Sequence, residues 1–186
     1  MSSFTKKAIM ESFLRLVGKK TLDKITVRDI VDECGINRNT FYYHFQDMYA
    51  VLEEICRDAI EGVPRHGTLA DAMTGFLKCM SNFALEHPRS MHGLIVSLGY
   101  DGLYRYMAPQ LKPLILECLE REIPTGTREY LGHMTFFVCH GVVGLSGDLM
   151  KAGADAAFST VTEDLHRMLS QLTKTQETVG QNAKND

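Results

Sequence analysis

Apolar positions along this chain recur almost everywhere at the three- and four-residue spacing of an α-helix, and the alternation that marks a half-buried strand is scarce. After Thr5, the residues Ala8, Ile9, Phe13, Leu16 and Val17 fall on one face, predicting an amphipathic first helix over about 5–18 that Gly18 ends. Two short helices follow within 26–45. A fourth starts from Asp47 as N-cap, carries Val51, Leu52, Ile55, Cys56, Ala59 and Ile60 on one side, and stops at Gly62–Val63–Pro64. Leu69, Met73, Phe76, Met80, Phe83 and His87 form the stripe of a fifth helix, and a sixth opens with Pro88 in its first turn and spans about 88–98. Residues 100–123 are helical in pattern but expected to break at Pro109 and Pro113, each of which lacks a backbone donor. Two long helices over about 128–151 and 155–173, separated by 152–154, complete the pattern. Residues 175–186 are polar and aperiodic and are expected to be disordered.

The stretch from Ile25 to Phe45 holds two helix starts about eleven residues apart. Thr26 can cap the first, with Asp29 in the third position and Ile25 stapled to Ile30. Asn37 can cap the second, with Ile36 stapled to Phe41. Between them Gly35 supplies the left-handed conformation that ends a helix. This is a helix-turn-helix, whose second helix is held by Ile30, Val31, Ile36 and Phe41. Arg38, Asn39 and Thr40 crowd its first turn, and side chains of these types donate to and accept from base edges in a major groove. Tyr42, Tyr43 and His44 can reach phosphate, while Thr26 and Arg28 at the start of the preceding helix can hold the flanking strand. Phe41 and Phe45 read as core. The same reading is the alternative for the three polar aromatics, but three neighbours cannot all face one small core.

Composition narrows the class without changing it. Hydrophobic residues make up 45% and charged residues 23%, a globular balance, and no apolar run approaches the roughly 18 residues a membrane span needs. Residues 1–20 alternate apolar and charged positions rather than holding the apolar block of a signal peptide, which predicts a cytoplasmic location. Cys34, Cys56, Cys79, Cys118 and Cys139 are odd in number and never paired as C-x-x-C, which predicts reduced thiols and no metal site. The net charge of −3 is uneven: residues 1–46 hold eight basic against five acidic residues, and the rest twelve against eighteen. A basic head on an acidic body suits a chain that meets phosphate at one end.

The segments T-V-R-D-I-V-D-E-C-G-I at 26–36 and N-R-N-T-F-Y-Y-H-F at 37–45, set between a first helix and a fourth beginning near Asp47, resemble the TetR family of bacterial transcription regulators. The resemblance covers about 60 residues. It implies an all-α homodimer of about nine helices, with a DNA-binding helix-turn-helix domain over 1–46, a connecting helix over 47–63, and an effector-binding and dimerisation domain over 64–174. It also implies a palindromic duplex operator, a repressor's role, no cofactor, and an unidentified small-molecule or protein effector. Where the family commonly carries a Lys after the aromatic run, this chain has Gln46, Asp47, Met48 and Tyr49. The alternative is therefore a TetR-like coregulator that acts through a protein partner with weak or no direct DNA binding. Residues 136–153 are similar to the branch of dihydroxyacetone-kinase regulators, although the Trp common there is absent from this chain.

In the C-terminal part, Gly141, Gly144 and Gly147 recur on one arc, where each costs about 1 kcal/mol relative to Ala. A dimer mate packed on them is one reading, with Val161, Leu165 and Met168 joining from the last helix; close packing inside one subunit is the other. Phe76, Met80, Phe83, His92, Tyr104, Met107, Phe137 and His140 are the candidate effector pocket, against the alternative of ordinary core. An enzyme is not expected. Gly144–Leu145–Ser146–Gly147–Asp148 imitates a nucleophile elbow but lacks its last Gly and lies within a helix.

Overall fold

A computed structural model describes residues 2–152 and 157–182, with side chains from 4 to 150 and 159 to 173. The described residues form eight α-helices and no strand: α1 Ser2–Val17, α2 Val27–Cys34, α3 Arg38–His44, α4 Met48–Ala59, α5 Leu69–Glu86, α6 Pro88–Glu122, α7 Arg128–Ala152 and α8 Ala157–Asn182, with a 3-10 turn at Leu22–Lys24. Helix starts follow the side chains that satisfy orphan N–H groups. Thr26 and Asp29 form a reciprocal capping box at α2, Asn37 accepts from the Thr40 amide at α3, Asp47 accepts from Tyr49 and Ala50 at α4, and Thr68 with Asp71 repeats the box at α5.

The expected sixth and seventh helices are the two segments of α6, which meet at Gly99, whose non-helical φ of 60° and ψ of −168° are open to glycine. The expected break at Pro109 and Pro113 does not occur. Both prolines are exposed and four residues apart, so the carbonyls they leave without an intrahelical donor lie toward water, and the helix continues through them. Helix α8 extends to Asn182, past the expected end at Thr173, so 175–182 are helical rather than disordered; residues 153–154 of the expected linker and 183–186 of the expected tail lie outside the described residues.

One apolar core runs through the chain. In the head, Ile9, Phe13, Ile30, Phe41, Val51 and Leu52 have no exposed surface; in the body, Leu69, Met73, Phe76, Leu77, Leu111 and Ile115 are equally sealed. Helices α6 and α7 share the most extensive interface, and α8 packs on α5. Five thiols are free, and burial pushes that of Cys56 up to about 12, which makes it an inert core group.

The turn that aims α3 depends on one backbone angle. Gly35 sits at φ 72°, ψ 30°, and a Cβ there would meet nothing within 4 Å. Gly35→Ala should therefore lower stability through backbone strain alone, by about 1–2 kcal/mol, read by urea unfolding. An unchanged midpoint would refute this account of the turn.

The head seats on the body through three small residues of α6 that the sequence reading did not single out. Ser90, Gly93 and Ser97 share one face of the helix. Ser90 Oγ donates to the Leu14 carbonyl at 2.8 Å in a buried contact, and the Leu22 amide donates to Ser97 Oγ at 3.1 Å. Between them a Cβ on Gly93 would stand 2.1 Å from the Val17 carbonyl oxygen. The C-terminal end of α1 thus lies directly on α6 backbone. The stripe of small residues at helical spacing was visible in the sequence; its partner was not.

Candidate nucleic-acid interface

Helix α3 has only seven residues, too few to be stable alone, so its shape is held by what it buries. Phe41 is fully buried and Phe45 nearly so, with ring centroids 6.1 Å apart. Their burial turns Arg38, Asn39, Tyr42 and Tyr43 outward along the opposite arc, and leaves Thr40 and His44 half-buried at its margins. Tyr43 is 79% exposed and Tyr42 56%, which settles the alternative that they were core. Phe41 braces Tyr42 edge-on at 5.5 Å, and Tyr43 stands edge-on to His44 at 5.0 Å, so the outward rings are held without being covered.

Other candidates are already engaged. The Thr26 hydroxyl donates to Asp29 at 2.7 Å and accepts from its amide as the cap of α2, and the Thr40 hydroxyl donates at 3.0 Å to Asn37, the cap of α3, so both are tied up at helix starts. Hydrogen bonds from Thr26 and Lys20 hold the Asp29 carboxyl down at about 2, keeping it ionised in the capping box. Arg28 lies 3.6 Å from Asp32 on the surface, a pair weak enough to exchange for phosphate.

The basic surplus of the head is smaller in effect than its count suggests. Lys6 pairs with Glu54, Arg15 with Glu33, Lys19 with Glu33 and Lys20 with Asp29. Arg38 has no ion pair among the described residues and stands at the first position of α3. A free guanidinium at the start of an outward helix is the group best placed to fork onto a base edge or phosphate.

The residues proposed for an effector pocket do not converge. Phe76, Met80 and Met107 are core, whereas Phe137 and His92 lie on the surface. Phe83 lines a cleft facing the head. Tyr104 and His140 do meet, with ring centroids 3.9 Å apart; His140 Nδ1 is 2.9 Å from the Phe136 carbonyl oxygen. Among the described residues the buried Tyr104 hydroxyl meets no hydrogen-bond acceptor or donor at full bonding geometry, although the Cys139 thiol lies close enough to interact with it. The glycine stripe divides as well. Cβ atoms on Gly144 and Gly147 would lie 3.4 Å from Tyr100 and 3.5 Å from Leu103, so these two serve the α6–α7 contact inside the chain rather than a mate. Gly141 is open, beside exposed Phe136 and Phe137; on α8, Met168 is exposed and Val161 and Leu165 half-buried. Ser146, in the imitation elbow, is buried in α7 and donates to the Val143 carbonyl.

A capped two-helix hairpin with a buried aromatic anchor and an outward polar arc defines a helix-turn-helix DNA-binding domain. Residues 9–55 match the family of bacterial regulatory proteins, tetR family, so the likeness covers the head. A stretch of 51 residues is 37% identical to the HTH-type transcriptional regulator YerO of Bacillus subtilis (strain 168), covering 27% of this chain and 18% of that protein. The similarity to YerO thus spans less than a fifth of its length. Across nearly the whole molecule the fold is that of the dihydroxyacetone kinase operon activator DhaS, with a TM-score of 0.64, 92% of this chain and 97% of that one covered, at 15% identity. No described helix is long and apolar enough to cross a membrane.

Proposed function

We propose that this chain is a sequence-specific transcription regulator that binds a palindromic operator as a homodimer and acts as a repressor released by an effector in its C-terminal helices. The observation that carries this reading is the outward arc of α3, with Arg38 free of ion pairs among the described residues and Asn39, Tyr42 and Tyr43 beside it. Arg38 and Asn39 read bases; Tyr42, Tyr43 and His44, with Arg28 from α2, position the phosphates. Exposed Phe136, Phe137 and Gly141 on α7 with Leu165 and Met168 on α8 supply the apolar surface for a mate. The orphaned Tyr104 hydroxyl against His140 offers a polar anchor for an effector among α6 and α7.

Arg38→Ala should cost about 1–3 kcal/mol on the cognate site and little on random DNA, whereas Tyr43→Ala should weaken both by the same factor. Fluorescence anisotropy with a cognate and a scrambled duplex measures this. Equal effects of the two substitutions on both duplexes would refute the division of roles.

A second reading rests on the exit from α3. Gln46 is uncharged there and Asp47 spends its carboxylate on the α4 cap, so no cation follows the aromatic run. On that reading the chain is a coregulator working through a protein partner. Absence of operator binding even at low salt would favour it over direct repression.

A further inference from the structure

A cleft of about 470 Å³ opens where α1, α4 and α5 meet, between the head and the body. Its floor is apolar: Met10 and Leu14 come from α1, Ile55 from α4 and Phe83 from α5. Its walls are acidic, with Glu11, Asp58 and Glu86 against Lys7, a formal surplus of two negative charges among the acidic and lysine side chains of the lining. Glu11 has a long contact of 3.9 Å to Arg15, while Asp58 and Glu86 have neither an ion pair nor a side-chain hydrogen bond among the described residues. Partial burial and the neighbouring Glu54 and Glu61 push the Asp58 carboxyl up, against the pull of Lys6 and Lys7. A cation in the cleft would therefore relieve a like-charge cluster.

We propose that this cleft binds an amphipathic organic cation, an amine carried on an apolar or aromatic body, and that its occupancy ties the head to the body. The acidic walls suit the charged end, and the apolar floor with its Phe83 ring suits the rest. An apolar floor and the absence of any group of three metal-ligating side chains among the described residues argue against a metal ion. A guest here touches α1 and α4 on one side and α5 on the other, so it bridges the two parts that also meet at the Gly93 contact. Its consequence for DNA rests on the regulator reading above; the binding itself does not.

Three probes with one apolar body separate charge from shape: 4-phenylbutylammonium, 4-phenylbutanol and 4-phenylbutyrate, titrated calorimetrically into the full chain. The ammonium should bind about tenfold more tightly than the alcohol, and the carboxylate most weakly. Asp58→Asn with Glu86→Gln should lower ammonium affinity about tenfold and leave the alcohol within about twofold. Lys7→Gln should tighten ammonium binding a few-fold, a gain that misfolding cannot produce. Hydrogen exchange should slow in α1, α4 and α5 together. Equal affinity for the three probes, indifference to the paired acid substitution, or protection confined to α6 and α7 would each overturn the proposal. Ammonium binding that follows these rules in a chain that binds no operator would leave the cleft standing and remove the regulator reading.

Discussion

Gly93→Ala should unseat the head from the body. The added methyl would stand 2.1 Å from the Val17 carbonyl oxygen and 3.0 Å from its carbonyl carbon, and both are backbone atoms that cannot rotate away. The two helices must separate by about an ångström to restore ordinary van der Waals spacing. That separation stretches the buried bond from Ser90 to the Leu14 carbonyl and the bond from the Leu22 amide to Ser97. Overpacking of a tight contact costs about 1–3 kcal/mol, and weakening a buried hydrogen bond adds to it. The expected loss is therefore about 3 kcal/mol, seen as a lower unfolding midpoint and faster proteolysis around 60–68. Gly18→Ala is the control, since its Cβ would meet the Arg89 Cβ at 3.2 Å and two backbone atoms no nearer than 3.5 Å, contacts relieved by a few tenths of an ångström. Equal stability of Gly93→Ala and the parent chain would show that α1 does not bear on α6 as described.

Phe41→Ala should cost about 3–5 kcal/mol and abolish any DNA binding. Phe41 has no exposed surface and makes ring contacts with Tyr42 and Phe45, so its loss removes the anchor of a helix too short to stand alone. Tyr43→Ala, at a ring 79% exposed, should leave the unfolding midpoint within about 0.5 kcal/mol. Denaturation of both variants in urea tests the contrast. Similar losses in the two would mean that Tyr43 is part of the core and cannot be spared for phosphate.

These two substitutions mark where sequence reading succeeds and where it stops. The helix-turn-helix was legible because its determinants are local. Thr26 with Asp29, Asn37 with Thr40 and Asp47 with Ala50 are hydrogen-bonded pairs three residues apart, and Gly35 answers to its own backbone angles. The outward arc of α3 follows from the inward Phe41 and Phe45 by helical geometry alone.

Other features depend on contacts that sequence separation hides. Gly93 meets Val17, and Ser90 meets Leu14 across 76 residues, so the seat of the head exists only once α1 has packed on α6. Gly144 and Gly147 face the protein's own α6 because α7 is rotated that way about its axis, a choice that a small-residue stripe does not encode. The eight pocket candidates shared no common direction, and the fold sends them to the core, the surface, the Tyr104–His140 contact and the head–body cleft.

The sequence by itself thus determined an all-helical chain, the caps and turn of its DNA-binding motif, and the polarity of the helix that bears it, since each is written within a few residues. Tertiary structure alone decided that the helix runs on through Pro109 and Pro113, that Arg38 makes no ion pair among the described residues while most neighbouring cations do, and that a cleft opens between head and body. Each of those is a matter of which distant side chains fill the same space, and that is settled by packing.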